Sequence, residues 1–176
     1  MTLRTFENAT PRIGDGVYID DTALIIGEVE IGRDSSVWPF TIIRGDVNYI
    51  RIGECSNIQD HSVLHVSHVG DPFNPEGNAL EIGDRITIGH RVTLHGCTIH
   101  NDCLIGMGST VMDGAIVHSD TIIGAGSLVT PGKELEGGSL WIGSPARRVR
   151  ALTDEEKESL RYSAQHYQLL KQRHLK

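Results

Sequence analysis

Three histidines carry the chemistry open to this chain: His65, His90 and His95. Neutral imidazole is a metal ligand, and three of them on zinc leave a fourth tetrahedral position open, the pattern of a catalytic rather than a structural site. Imidazole also suits other first-row metals, so the ligand type admits Zn2+, Fe2+, Co2+ or Ni2+. His95 follows His90 by five positions and His65 lies well upstream. Whether the three can meet is therefore decided by the elements that position them.

Those elements are announced by a repeat. An aliphatic residue recurs every six positions: Ile13, Ile19, Ile25, Ile31, Val37 and Ile43, then Ile52, Ile58 and Leu64, then Ile82, Ile88 and Leu94. After a beat shortened by one residue come Ile99, Ile105, Val111, Val117, Ile123 and Val129, with glycine often next after the aliphatic residue. A helix would show a period of about 3.6 and an ordinary strand a period of about 2. Six fits a short strand and a corner, three to a coil of about 18 residues, as in a hexapeptide β-helix. The 18 beats predict six coils, stacked about 4.8 Å apart with a continuous aliphatic column inside.

The chain 1–176 reads as one domain, with the β-helix over 11–134 and a Pro/Gly-bearing connector over 135–152. Thr153 and Glu156 form a capping box, predicting a helix over 153–176. Its narrow apolar stripe is Leu160, Ala164, Tyr167 and Leu170/Lys171, which would pack on the solenoid or on a neighbouring subunit. Two insertions interrupt the repeat, three residues around Asn48–Ile50 and the loop 66–81. Insertions in a solenoid are extruded as loops, often on the binding face.

If the second insertion is a single loop, the beats at Ile43, Leu64 and Leu94 stack. Arg44, His65 and His95, each one residue later, then form an outward column. Adjacent coils lie about 5 Å apart, so His65 and His95 can share one ion at about 2.0–2.1 Å from each nitrogen. Ile58 and Ile88 share another face, which puts Asp60 one coil beneath His90. An outward His90 diverges from the other two, so the third ligand is expected from a different subunit of a homotrimer.

Composition narrows the setting. Twenty glycines and 5% aromatics suit a solenoid with many tight corners. A net charge of -7 argues against a nucleic-acid partner. No stretch approaches the roughly 18 apolar residues of a membrane span, so no membrane partner and a cytoplasmic protein are expected. Cys55, Cys97 and Cys103 are odd in number and form no CxxC, which reads as reduced, small packing residues.

The runs VWPFTIIRGDVNYIRIGECSNIQDHSVLHV, IGHRVTLHGCTI, GMGSTVMDGAIV and GSPARRVRALTDEEKESLRYSAQHY resemble the gamma-class carbonic anhydrase family, over nearly the whole chain and in a bacterial branch of it. The resemblance implies an all-β, left-handed parallel β-helix with a C-terminal α-helix, assembled as a homotrimer. It implies metal sites between subunits on His65, His90 and His95, and a lyase in which metal-activated hydroxide attacks CO2. Arg44 and Asp46 match the family's RGD run and are expected to bridge subunits. Gln59 matches the residue that holds the reacting water, Asp60 is its NIQD neighbour, and Tyr167 matches a helix tyrosine that reaches the site. Where strongly catalytic members carry acidic proton-shuttle residues, this chain has Val47 and, in its loop, only Asp71 and Glu76. The alternatives are a thioesterase or hexapeptide acyltransferase acting on acyl-CoA, or a trimeric metal-binding protein without activity.

Overall fold

The computed structural model describes residues 2–175, and in it the six-residue period becomes three faces of short parallel strands. On face one, Ile25, Ile43, Leu64, Leu94, Val111 and Val129 lie in register on successive coils. Face two stacks Ile31, Ile52, Ile82, Ile99 and Val117. Face three stacks Val37, Ile58, Ile88, Ile105 and Ile123. These side chains fill the interior at 0–4% exposure, each stabilising the coil by about 1.5–3 kcal/mol. The fold is the parallel β-helix with a C-terminal helix expected from the repeat.

The corners explain the rest of the pattern. Small residues four after an inward aliphatic point inside, and their hydroxyls join coils. Ser56 Oγ, for example, donates to Gly83 O at 3.0 Å and accepts from Ile86 N at 3.0 Å. The glycine after an inward residue marks a corner where coils touch backbone to backbone. A Cβ built on Gly53 would stand 2.6 Å from the Gly83 carbonyl carbon.

The solenoid is longer than the sequence boundary at 134. Glu134–Leu135 pairs with Ile116–Val117, and Ser139–Ile142 pairs with Ile122–Ile123. Leu135 and Trp141 thus continue the inward columns at 0% and 6% exposure. They keep the spacing of six, but they lie in a stretch whose Pro131, Gly132, Gly137 and Gly138 read as a connector, and Trp141 is not aliphatic. Thr2–Arg4 likewise stacks Leu3 beside Ile25 at the other end. The real connector is short, because Arg147–Ala151 turns back antiparallel on Ser139–Ile142. The three extra residues bulge inside the single strand Ile42–Ile52, where the register jumps from Gly27↔Gly45 to Val29↔Ile50.

The helix Asp154–His174 starts at the Thr153/Glu156 capping box and packs on face three of its own chain. It runs back along the stack. Arg161 pairs with Asp120 at 3.1 Å, Ser163 with Thr87 at 3.0 Å, and Tyr167 meets Trp38 edge-on at 5.6 Å. Lys171, and not Leu170, takes the last buried position at 2% exposure. Its amine is held by Gly16 O and by Asp34 at 3.0 Å. Asp34→Ala would strand that amine and is expected to cost about 1–3 kcal/mol. Lys171→Met removes the charge with the stem packing kept and should cost less, an order that paired denaturation curves would check.

Cys97 and Cys103 are buried and Cys55 half-buried, all free. Burial pushes every one of the three thiols up, Cys103 to about 12. Among the described residues no helix is long and apolar enough to cross a membrane.

Candidate metal centre

Strand pairing sets His65 directly beside His95 on neighbouring coils. His65 Nδ1 lies 3.1 Å from His95 Nε2, with the ring centroids 5.1 Å apart. The other nitrogen of each ring faces a carboxylate. His65 Nε2 meets Asp46 Oδ1 at 3.1 Å, and His95 Nδ1 meets Asp113 Oδ1 at 2.8 Å. Neutral imidazole has one proton, and a carboxylate draws it to its own side. Both rings therefore turn lone pairs toward the same small volume. Two nitrogens on one tetrahedral zinc stand about 3.3 Å apart, so the separation of the pair is that of two ligands sharing a cation.

Asp46 and Asp113 are themselves held. Arg44 Nη1 donates to Asp46 Oδ2 at 2.6 Å, since residues i and i+2 of a strand share a face. Within one chain Arg44 and Asp46 already pair with each other. Burial acts to raise the Asp46 pKa, but hydrogen bonds from Arg44 and then His65 outweigh it, and the carboxyl sits below its ordinary value. Burial also lowers His65, more than the Asp46 hydrogen bond raises it, so the ring is neutral and ready to ligate near pH 7. Ser67 donates to Asp113 Oδ1.

Asp113 was not singled out from the sequence. It lies 18 positions after His95, one ideal coil. The shortened beat between Leu94 and Ile99 moves it to two residues past Val111 rather than one, which masked the match.

His90 is elsewhere. Its Nδ1 faces Asp60 Oδ2 one coil below at 2.8 Å, leaving Nε2 to point away, and its side chain is 45% exposed against 19% for His65. Gln59 and Tyr167 group with this second set. Gln59 donates to Asn57 Oδ1 at 3.1 Å and, with Thr87, Ser163 and Tyr167, lines a groove of about 400 Å3 between helix and solenoid. The Tyr167 phenol is raised by burial first and the Asp60 charge second, so it stays a donor. Among the described residues no three ligating side chains converge within one chain.

The faces differ in what they present. Face three is covered by the helix, and face two carries the charged ladder Arg12, Glu30, Arg51, Glu81. Face one turns Leu24, Ile42, Val63, Thr93, Thr110 and Leu128 outward without cover. On that face no glycine follows an inward aliphatic residue; Arg44, His65 and His95 stand there instead.

A model of bacterial transferase hexapeptide repeats matches residues 10–45 and 96–131. Protein YrdA of Escherichia coli (strain K12) is 54% identical over 165 residues, 94% of this chain and 89% of that protein. The carbonic anhydrase of Geobacillus kaustophilus is 42% identical over 86% of this chain and 79% of its own length. Mitochondrial gamma carbonic anhydrase 2 of Arabidopsis thaliana is 39% identical over 98% of this chain, which spans 62% of that protein. The chain belongs to the gamma-class carbonic anhydrase family. Among solved structures, a hexapeptide transferase family protein of Anaplasma phagocytophilum is similar to this gamma carbonic anhydrase homologue at TM-score 0.88 and 40% identity, over 97% of this chain and 96% of that one. Among the described residues the two groups, His65–His95 and Asp60–His90, share no hydrogen bond or ion pair.

Proposed function

We propose that three copies of this chain enclose three divalent-metal sites, zinc being the expected ion, and that these catalyse reversible CO2 hydration. Each site takes His65 and His95 from one copy and His90 from the next. The observation that supports this reading is the pair of ring nitrogens of His65 and His95 set 3.1 Å apart, each ring having a carboxylate on its far side. Zinc bound by three imidazoles acidifies a water at its open position and supplies a nucleophile for CO2.

The chain's own residues prepare that position. Asp46 and Asp113 hold protons on the far side of His65 and His95, fixing tautomer and ring plane and making the rings better donors. Asp60 does the same for His90, turning Nε2 toward the adjoining copy. Arg44 keeps Asp46 ionised. Gln59 and Tyr167, beside Asp60, offer an amide and a phenol to orient a small oxygen substrate. Uncovered face one, apolar and β-branched, suits packing against a second copy, whereas the charged ladder of face two suits solvent.

The groove next to Gln59 favours a second reading, hydrolysis of an acyl thioester at the same metal. Its wall of Leu104, Ile105, Met107, Ile122 and Ile123 could take a short acyl chain. Elemental analysis of anaerobically purified protein, with light scattering and parallel CO2-hydration and thioesterase assays, separates the readings. One metal per chain in a trimer with hydratase turnover is the expected result. A monomer holding full metal would overturn the shared site, and a metal-loaded trimer cleaving only thioesters would establish the second reading.

A further inference from the structure

The corner that carries His90 is conformationally unusual. Its turning residues on successive coils are Phe40, His61, Arg91, Gly108 and Gly126, with φ of 58°, 59°, 57°, 69° and 68°. The geometry is dictated by a ladder in which each corner amide reaches a carbonyl of the coil before: His61 N to Pro39 O, Arg91 N to Asp60 O, Gly108 N to His90 O. Glycine takes this left-handed conformation freely, and an L side chain is strained in it. On the first three coils the chain nevertheless keeps large side chains.

Four other strained residues have work inside the chain. Asp34 holds Lys171, Arg85 pairs with Asp102, and Asp102 and Asp120 meet Arg161. Phe40, His61 and Arg91 are all exposed. Phe40 stacks on His61 at 5.1 Å and 13°. Among the described residues the Arg91 side chain has no ion pair or hydrogen bond, although the chain carries 23 acidic groups. The strip lies immediately beside Asp60 and His90.

We infer that Phe40, His61 and Arg91 form a docking strip that seats His90 against the His65–His95 face of a second copy of this chain. The inference rests on the shared-site reading above. The occupant is argued from continuity, since His90 and Arg91 are consecutive and one must reach the second copy's histidines. It is argued also from charge, since those histidines are flanked by the carboxylates of Asp46 and Asp113, and among the described residues Asp113, 33% exposed, meets only His95 and Ser67 and no arginine or lysine. Phe40 and His61 offer a flat ring surface to the uncovered aliphatic stripe. Arg91 is thus a positioning residue that acts on the metal through His90.

Two loss variants and one rescue variant test this. Arg91→Gly keeps the corner ladder and relieves its strain, and Arg91→Gln keeps the strain and removes the charge. Both should raise the trimer dissociation constant about tenfold or more and flatten its salt dependence, with metal retention falling at low protein concentration. Arg91→Lys should restore much of the wild-type behaviour. Arg91→Gly should meanwhile unfold no more readily than wild type when both are compared as subunits, which a folding defect would not allow. Sedimentation and metal content of the wild type are read alongside. A wild-type trimer holding metal, with both variants unchanged, overturns the docking strip alone. A monomeric wild type overturns the shared site and the strip with it.

Discussion

Co-refolded with a His90→Ala chain, a His65→Ala chain regains metal that neither holds alone. Each single variant lacks a ligand at every site and is expected to lose tight binding. In a mixed trimer a site is whole wherever His65 and His95 come from the His90→Ala chain and His90 from its neighbour. With equal amounts and random mixing about a quarter of all sites meet that condition under closed threefold symmetry. Metal counted per chain after gel filtration reads the fraction directly. Absence of recovery in trimers shown by mass to be mixed would mean that all three histidines act within one chain.

The second large effect concerns the coil stack. Gly53→Ala places a methyl 2.6 Å from the Gly83 backbone, where no side-chain rotation can relieve it. Two coils must part, with loss of about 3 kcal/mol or more. Gly126→Ala meets nothing within 4 Å but carries φ of +68°, so only conformational strain of about 1–2 kcal/mol is added. Thermal or chemical unfolding of the two variants should therefore differ clearly, and equal losses would mean that backbone contact at the Gly53 corner is not what demands glycine.

The parts legible in the sequence were those set by one coil repeating on the next. Inward aliphatic residues six apart fixed the faces, and from the faces came the neighbourhood of His65 with His95 and of Asp60 with His90. Features that depend on departures from the repeat were hidden. Asp113 was displaced by the five-residue beat before Ile99, and Leu135 and Trp141 continued the solenoid inside a Pro- and Gly-bearing stretch that reads as a connector. The helix stripe already included Leu170/Lys171, but nothing local shows that Gly16 and Asp34 wait across the fold for the Lys171 amine. Arg44 and Asp46 illustrate a smaller point: the alternation of a strand already suffices to join them, before any second copy is considered.

The returning helix changes what kind of object this solenoid is. A simple stack of repeats has contacts only between neighbours and can melt coil by coil from either end. Here Lys171 meets Gly16 across 155 positions, and His174 lies against Tyr18 and Trp38. The helix is fastened to the early coils, so a linear array becomes a closed circuit of contacts, which couples the coils and slows their formation. During synthesis the early coils keep Trp38 and the Gly16 carbonyl uncovered until the helix Asp154–His174 has left the ribosome. The coil made first is completed last.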